Sequence, residues 1–370
     1  MLRAFKTKLK LNNKQKTLMA QHAGYGRWVW NWALNLWNEA VQAGLKPTAN
    51  KLKKFYTHHV KPLYPWMKTL SSRVYQFVFM HLAEAFNRFF QGTAAHPRFK
   101  KKGRHDSFTI DNCGRVMEFN GTRLKLPFIG WVSTYEPLPK ISTKRVTISR
   151  VASDWYISAS YEFEPQPTLK KSDYIGVDVG IKTLATCSDG TVFENKKAYK
   201  QAKNKLARLQ RELNRRQIGS ANRNKTQLKI AKTHQRIVNI RKDNIHQLTS
   251  WLCKNHAVIG LEDLNVSGMM RNHKLAKALA DSSFYEIRRQ VEYKASWYGV
   301  ELVFADRFYP SSKTCSNCGH IQEMPLSERV FNCCACGEIL DRDFNASCNL
   351  ERYAEGYSVK ACRVGSADTL

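Results

Sequence analysis

The sequence predicts a multidomain α+β protein, and three observations lead to this prediction. Residues 3–11 and several short segments up to Phe163 alternate apolar and polar residues with the period of a β-strand. Segments with helical periodicity, at 14–43 and 73–90, separate the first strand from the others. The second half of the chain combines short apolar strands, long helical segments and two cysteine pairs. Strands and helices grouped in blocks indicate separate domains.

Composition limits the possible functions. The chain has 370 residues, of which 43% are hydrophobic, enough for the cores of two or three domains. A net charge of +30 indicates a polyanionic partner, and nucleic acid is favoured because binding releases counterions from phosphates. A membrane-surface protein is the alternative, but no apolar run has the length of a membrane span, and the first residues lack the apolar core of a signal peptide. We therefore expect a cytoplasmic protein.

The first half contains the pattern of a small antiparallel β-barrel. Short alternating strands between Val116 and Phe163, interrupted by glycines and prolines, are typical of such a barrel. Tryptophans in the first helical segment could stack on bases, but aromatic residues at helical spacing favour a core. A basic loop follows the second helical segment. Its candidate nucleic-acid contacts, for which a solvated charged surface is the alternative, are Arg98, Lys100, Lys101, Lys102 and Arg104.

A basic helical hairpin is predicted in the second half, after a linker at Pro165. Residues 196–250 carry apolar stripes at helical spacing, interrupted by Ile218-Gly219-Ser220. A coiled-coil dimerisation arm is the alternative, but its many cations would repel a partner helix, so we favour nucleic-acid contact and a monomer. The candidate contacts are Lys203, Arg211, Arg215 and Arg216.

Two Cys-x-x-Cys pairs lie close together near the C-terminus. Cys315 and Cys318 form the first pair, Cys333 and Cys336 form the second, and a glycine follows each pair. This is the ligand spacing of a tetrahedral four-cysteine zinc site, whereas Cys334 breaks the spacing. With no open position the zinc would be structural, contributing on the order of 10 kcal/mol to local folding. A redox pair or buried thiols are the alternative.

Carboxylates occur where the pattern predicts buried strands. Asp178 lies within the apolar segment that starts at Tyr174, Glu262 and Asp263 end a second apolar segment, and further acids follow the cysteine pairs. A carboxylate in a buried strand is costly unless a cation or another partner compensates it. The acids therefore indicate a site for metal ions.

Taken together, four motifs resemble the TnpB family of transposon-encoded, RNA-guided DNA endonucleases. The motifs are Gly176-Val-Asp178-Val-Gly180-Ile-Lys182, Gly260-Leu-Glu262-Asp263-Leu264, Asp306-Arg-Phe-Tyr-Pro-Ser-Ser-Lys-Thr-Cys315-Ser-Asn-Cys318-Gly, and Asp341-Arg-Asp343-Phe-Asn345-Ala346. The resemblance implies a wedge-like barrel, a helical recognition lobe, and a split RNase H-like (RuvC) α/β nuclease domain with an inserted zinc ribbon. The expected boundaries are 1–12 and 100–168 for the wedge, 13–99 for the lobe, 172–308 and 341–355 for the nuclease, 309–340 for the ribbon, and 356–370 for a flexible tail.

The resemblance also assigns a catalytic triad. It implies that Asp178, Glu262 and Asp343 bind two catalytic Mg²⁺ ions and that Asp178 bridges them. Clustered carboxylates suit the hard oxygen preference of Mg²⁺. Asp341 and Asp263 are the alternative ligands, although either could cap a helix or pair with an arginine. The motif match favours Asp343 over Asp341.

The leading hypothesis is therefore an RNA-guided, metal-dependent DNA endonuclease of a prokaryotic transposable element, located in the cytoplasm at the nucleoid. The resemblance implies a transposon-derived guide RNA and a double-stranded DNA target, cut next to a short flanking motif. One alternative is a nuclease-independent, RNA-guided DNA-binding repressor. The other is a DNA-binding transposition accessory protein or transposase, which would give integration products.

Overall fold

The computed structural model describes residues 2–111, 119–139, 145–165, 168–325 and 327–365. The chain divides into two compact units, Met1–Glu164 and Pro165–Leu370. The boundary coincides with the linker predicted at Pro165, whose residues 166 and 167 lie outside the described ranges. Within these ranges, every helix is too short or too polar to span a lipid bilayer.

The first unit contains a seven-stranded, fully antiparallel sheet. Its strands are β1 (Leu2–Lys10), β2 (Ser107–Asp111), β3 (Phe119–Asn120), β4 (Arg123–Leu126), β5 (Gly130–Thr134), β6 (Arg145–Val151) and β7 (Asp154–Glu162), in the order β2-β6-β7-β1-β5-β4-β3. β1 pairs with β7 over residues 2–8 and with β5 over residues 9–10, so one strand joins the two halves of a curled sheet. In the described ranges no pairing joins the edge strands β2 and β3, so closure into a barrel stays a prediction.

A helical insertion lies between β1 and β2, as predicted. It consists of α1 (Asn13–Gln42), α2 (Ala49–Phe55), a π-helical turn at Tyr56–Val60, two 3-10 turns at Lys61–Leu63 and Pro65–Thr69, and α3 (Ser72–Phe90). Its tryptophans mainly form core, as the helical spacing predicted. Trp30 and Trp37 are buried, Trp28 and Trp32 pack against the same core, and the Trp37 ring stacks on Phe86 with centroids 4.0 Å apart.

The second unit contains a five-stranded mixed sheet. Its strands are β8 (Ser172–Val179), β9 (Thr183–Cys187), β10 (Val192–Glu194), β11 (His256–Glu262) and β12 (Glu301–Ala305), in the order β10-β9-β8-β11-β12. The first three strands are antiparallel neighbours, and β8, β11 and β12 run parallel. The helices are α4 (Ala198–Arg215), α5 (Ala221–Asn255), α6 (Val266–Met269), α7 (Ala276–Ser282) and α8 (Phe284–Tyr298). α4 and α5 are the two arms of the predicted basic hairpin.

The C-terminal segment differs from its prediction. After the short strands β13 (Val330–Asn332) and β14 (Ile339–Asp341), helix α9 extends over Arg342–Gly365. The expected flexible tail, 356–370, is therefore helical as far as residue 365, and residues 366–370 lie outside the described ranges. Gly356 does not end the helix, because one glycine costs only about 1 kcal/mol and the preceding turns have already nucleated it.

Candidate metal centres and nucleic-acid surfaces

Three predicted acids lie at the carboxyl edge of the five-stranded sheet. Asp178 is near the end of β8, Glu262 is the last residue of β11, and Asp343 is in the first turn of α9. β8 and β11 are parallel neighbours, so their carboxyl ends share one edge. Burial raises the pKa of Asp178 to about 8, and the negative charges of Glu262 and Asp343 add to the increase. The structure thus brings the three carboxylates into one electrostatic cluster.

Two glycines let α9 pack closely against the sheet. Gly176 and Gly260 are direct partners in the β8–β11 pairing. A Cβ atom on Gly176 would lie 1.9 Å from the Ser347 carbonyl oxygen, and one on Gly260 would lie 2.4 Å from the Leu350 carbonyl oxygen. The helix backbone therefore rests on the sheet where only glycine leaves room.

Sequence analysis did not assign this role to the glycines, although the sequence contains a usable signal. Both strands carry the same pattern, Ile175-Gly-Val-Asp178 and Ile259-Gly-Leu-Glu262, with a glycine two residues before the acid. Side chains two residues apart in a strand share a face. Each glycine therefore marks the face on which its acid lies.

A serine before the first cysteine pair holds Glu262. The Ser311 hydroxyl donates a hydrogen bond to Glu262 Oε1, and the Ser311 side chain is buried. The Asn349 side-chain amide donates to the Ser311 carbonyl oxygen at 2.8 Å. α9 and the loop leading to the cysteines therefore fix the position of Glu262 together.

The neighbouring acids have other partners. Asp263 forms ion pairs with Arg288 and Arg307, which lower its pKa. Asp341 Oδ1 accepts hydrogen bonds from the backbone N–H groups of Asp343 (2.9 Å) and Phe344 (3.1 Å), so it caps α9. Asp263 and Asp341 thus both have close partners, whereas the ion contacts of Asp343 are longer.

The contacts of Asp343 are with two arginines. Its Oδ1 lies 3.7 Å from Arg329 Nη1 and 3.8 Å from Arg342 Nε. Among the described residues, only the four cysteines have all their possible ligand atoms within 4.8 Å of one another. The acids are therefore spread more widely than the ligands of one compact tetrahedral site.

Cys315, Cys318, Cys333 and Cys336 form that compact group. The Cys315 and Cys336 sulfurs are 3.7 Å apart, and the Cys318 and Cys333 sulfurs are 3.6 Å apart. Zn–S bonds of about 2.3 Å in a tetrahedron place sulfurs about 3.8 Å apart. The sulfurs thus have the spacing that a zinc ion requires. Cys334 is outside the group, and its exposed thiol lies 3.3 Å from His320 Nε2.

One asparagine connects the cysteine group to the acids. Asn345, two residues after Asp343, is fully buried. It accepts a hydrogen bond from the Ser316 backbone N–H at 2.8 Å and donates one to the Thr314 carbonyl oxygen at 2.7 Å. These two residues flank Cys315. The first cysteine pair is thereby tied to the helix turn that carries Asp343.

The predicted basic loop of the first unit is bonded to α1. Trp30 Nε1 donates to the Arg98 carbonyl oxygen, and Asn31 exchanges two hydrogen bonds with the Lys100 backbone. The Lys100 ammonium lies 4.0 Å from the Trp30 ring centroid, and desolvation lowers its pKa. The contact with Trp30 engages the Lys100 ammonium, although Lys100 is exposed, as are its neighbours Lys101 and Lys102. Arg98 and Arg104 are also exposed.

On the hairpin, three of the four predicted contacts are exposed: Lys203, Arg211 and Arg215. Arg216 is paired with Glu212, which reduces its availability. The structure also shows a groove of about 740 Å³ between α4 and α5 that sequence analysis missed. Its charged lining consists of Lys205, Arg208, Lys229, Lys232, Arg236 and one acid, Glu212. The packing of two helices brings these cations together, so no single helix pattern contains them.

Comparison with known proteins identifies the family. The model OrfB_IS605, described as "Probable transposase", matches residues 158–273, "Cas12f1-like, TNB domain" matches 284–350, and "Helix-turn-helix domain" matches 1–46. The chain is 35% identical to "Putative RNA-guided DNA endonuclease InsQ" of Escherichia coli K12, over 98% of this chain and 94% of InsQ. The chain belongs to the TnpB family.

A second relative and one solved structure are also similar to the chain. A "Putative RNA-guided DNA endonuclease" of Streptomyces pristinaespiralis is 34% identical, over 98% of this chain and 91% of that protein. The fold resembles the protein in the cryo-EM structure of the Cas12f1-sgRNA-target DNA complex, with a TM-score of 0.57 and 13% identity, over 92% of this chain and 83% of that one. The match at 284–350 includes the four cysteines and Asp343, so both candidate metal centres overlap matched segments.

Proposed function

We propose that this TnpB-family chain is an RNA-guided DNA endonuclease of a transposable element, which cuts target DNA beside a short flanking motif by metal-dependent phosphodiester hydrolysis. The observation that carries the proposal is the cluster of Asp178, Glu262 and Asp343 at one sheet edge, where burial and mutual repulsion raise the pKa of Asp178. Carboxylates clustered in one place suit divalent cations. Full-length relatives with endonuclease names support it.

The donor set fits two Mg²⁺ ions. All three acids offer carboxylate oxygens, the ligands that Mg²⁺ prefers. If bound by these residues, the ions would stabilise charge on the attacking and leaving oxygens of an in-line displacement. Asp178 is the proposed bridging ligand, because the charges of both other acids act on it.

The protein's own contribution is positioning. Ser311 holds one oxygen of Glu262, Asp341 caps the helix that carries Asp343, and Gly176 lets that helix approach the sheet. The acids come from three segments far apart in sequence, so these contacts set their mutual geometry. Preorganised ligands lower the reorganisation required when charge develops on the phosphate.

The finer domain assignment is also a proposal. The strand order and the acid-bearing strands support an RNase H-like (RuvC) nuclease, and the four-cysteine group supports an inserted zinc ribbon with a structural Zn²⁺. The curled sheet and helical insertion of the first unit support a wedge and a recognition lobe. The loop around Lys101 and the hairpin groove are the proposed surfaces for guide RNA and target DNA.

The first test is to purify the protein from cells that carry its native locus and to sequence the RNA bound to it. One abundant species with a constant scaffold and a variable 3′ end would supply the guide and the matching DNA target. We expect the complex to cut that target in Mg²⁺. DNA in place of a discrete RNA would contradict the guided mechanism.

Conservative acid variants then test the site. Asp343→Asn should abolish cleavage while the amount of bound RNA stays unchanged. Asp341→Asn is the matched control, because asparagine also caps helices, and it should cut at close to the wild-type rate. The reverse result would assign the metal-ligand role to Asp341. Asp178→Ala should also be inactive, and full activity of that variant would refute the triad.

Transposition is the second candidate function, because one matching family model is described as "Probable transposase". It predicts strand joining in addition to cutting. Sequencing the products of a reaction with a supercoiled plasmid separates the two: integration junctions support transposition, and clean double-strand ends support the endonuclease.

A further inference from the structure

A second cationic cavity lies at the same sheet edge as the acids. It has a volume of about 310 Å³, and its wall includes Ile181 in the turn after β8, the first turns of α4, and α7. Three strands end at this edge: β8, β10 and β11. β11 runs parallel to β8, and β10 has the same direction as β8 because both are antiparallel to β9. The carboxyl edge of a sheet is a common position for ligands.

Four lysines line this cavity: Lys197, Lys200, Lys203 and Lys277. Within the described ranges, no carboxylate oxygen lies within 4.0 Å of any of their ammonium groups. Lysine side chains that share one cavity wall and lack a carboxylate partner repel one another, and a bound anion removes that repulsion. We call this site the lysine cavity.

The acid in the wall does not neutralise these lysines. Asp281 is buried, pairs with Arg241 at 2.8 Å, and accepts hydrogen bonds from the backbone N–H groups of Tyr199 and Lys200. Its charge is thus balanced by Arg241, and the first amides of α4 are already bonded. A ligand would be held by the lysine side chains and not by the helix terminus.

The backbone of the cavity is held in one conformation. Asn195 donates to the Ile181 carbonyl oxygen (2.8 Å) and to Ser282 Oγ (3.0 Å), and accepts from the Lys197 N–H at 3.0 Å. Lys197 has φ +43°, a left-handed conformation that costs a non-glycine residue about 1 kcal/mol or more. The Asn195 contacts maintain this conformation, and the turn after β8 cannot move freely relative to α4.

One residue of the cavity wall is close in the chain to the proposed metal ligand Asp178. Ile181 follows Asp178 by three residues, so their Cα atoms are at most about 10 Å apart. At a rise of about 3.4 Å per nucleotide in a DNA strand, that distance corresponds to about three nucleotides. A strand whose scissile phosphate is at the acids could therefore place a nearby phosphate in the cavity.

We propose that the lysine cavity binds one backbone phosphate of the DNA strand being cut, one to three nucleotides from the scissile bond. This inference rests on the proposed endonuclease function and adds a substrate-positioning site to it. A phosphate fixed beside the acids would hold the scissile bond in register with them, which raises the cleavage rate through orientation.

The test combines a protein variant with modified DNA. The variant Lys200→Gln/Lys203→Gln/Lys277→Gln removes three charges and leaves the Asn195 and Asp281 contacts in place. Single neutral methylphosphonates are placed in turn at each phosphate near the cut. In the wild-type complex we expect one position to slow cleavage about tenfold or more, the effect of losing a charged hydrogen bond. The variant should cut unmodified DNA slower by a similar factor and show no further loss at that position.

The control variant is Lys46→Gln/Lys51→Gln/Lys54→Gln, which removes three exposed charges around α2. It should keep the position-dependent methylphosphonate effect of the wild type. The proposal is overturned if the cavity variant cuts at the wild-type rate, or if the methylphosphonate slows it as much as it slows the wild type. Loss of bound guide RNA from the cavity variant alone would assign the cavity to RNA and also overturn it.

A wild-type complex that does not cut would refute the proposed function but still leave the cavity testable. Binding of a single-stranded DNA oligonucleotide is then measured against salt concentration. Each lost phosphate contact should reduce the slope of log K against log salt by about 0.7. A smaller slope for the cavity variant than for the control variant would support a phosphate site in the lysine cavity. Equal slopes for the two variants would contradict it.

Discussion

Replacing Gly176 by alanine tests whether α9 sets the position of the third acid. The new Cβ atom would lie 1.9 Å from the Ser347 carbonyl oxygen and 2.4 Å from the Glu351 backbone nitrogen. Both neighbours are backbone atoms of one helix, so no side-chain rotation can relieve the contact. To restore an ordinary separation of 3.4 Å, the helix and strand must move apart by about 1.5 Å.

This displacement should affect activity more than stability. Overpacking of this kind costs about 1–3 kcal/mol, which a folded domain can tolerate. Asp343 moves with α9, however, and a displacement of about 1 Å in a catalytic geometry can lower the rate about 10²-fold. We therefore expect Gly176→Ala to fold, to bind its guide RNA and to cut DNA at least about 10²-fold more slowly than the wild type.

The same helix provides the control. Gly356 is exposed on α9, and a Cβ atom there meets no atom within 4 Å. Gly356→Ala should raise helix propensity by about 1 kcal/mol and cut DNA at the wild-type rate. Single-turnover cleavage and thermal unfolding are measured for both variants. Wild-type cleavage by Gly176→Ala would refute the inference that close backbone packing positions the acid.

Three further predictions concern the cysteines, Glu262 and the first unit. Cys315→Ser should lower the zinc content and the unfolding temperature, because structural zinc contributes on the order of 10 kcal/mol to folding. The control Cys334→Ser should change neither quantity. Metal analysis and calorimetry of both variants test this prediction. Ser311→Ala removes the hydrogen bond to Glu262 and should raise the Mg²⁺ concentration needed for half-maximal cleavage about tenfold. An unchanged Mg²⁺ titration would show that Ser311 does not position Glu262. Burial lowers the pKa of His22 below its ordinary 6.5, so the unfolded chain protonates first and stability should decrease as pH falls through about 6.5. His22→Gln should weaken that dependence in unfolding scans from pH 7.5 to 5.5, and identical pH profiles for both proteins would contradict it.

The sequence predicted the elements that carry the acids because each has a strong local pattern. Asp178 and Glu262 stand in short apolar strands, and both strands occur where they were predicted. The cysteine pairs were equally clear, because the spacing within each pair follows from the geometry of one metal ion. Local patterns of this kind depend on neighbouring residues only.

Features that depend on distant contacts were predicted less well. The charge on Lys100 suggested a phosphate contact, but its ammonium lies 4.0 Å from the ring centroid of Trp30, which belongs to α1 and is distant in sequence. The groove lined by Lys205 and Lys232 requires two helices to pack side by side. The extent of α9 was underestimated because the residues after Gly356 carry little apolar periodicity, although the helix continues through them to Gly365.

Asn345 shows why the cysteine group and the acids belong to one structural arrangement. The helix turn that carries Asp343 is held on one side by Gly176 and on the other by the loop of the first cysteine pair, through Asn345. Metal at the cysteines would keep that loop rigid, because an ordered loop retains both hydrogen bonds to the asparagine. Loss of a structural zinc ion should therefore reduce cleavage even in molecules whose sheet remains folded, since the acid edge shares its support with the zinc loop.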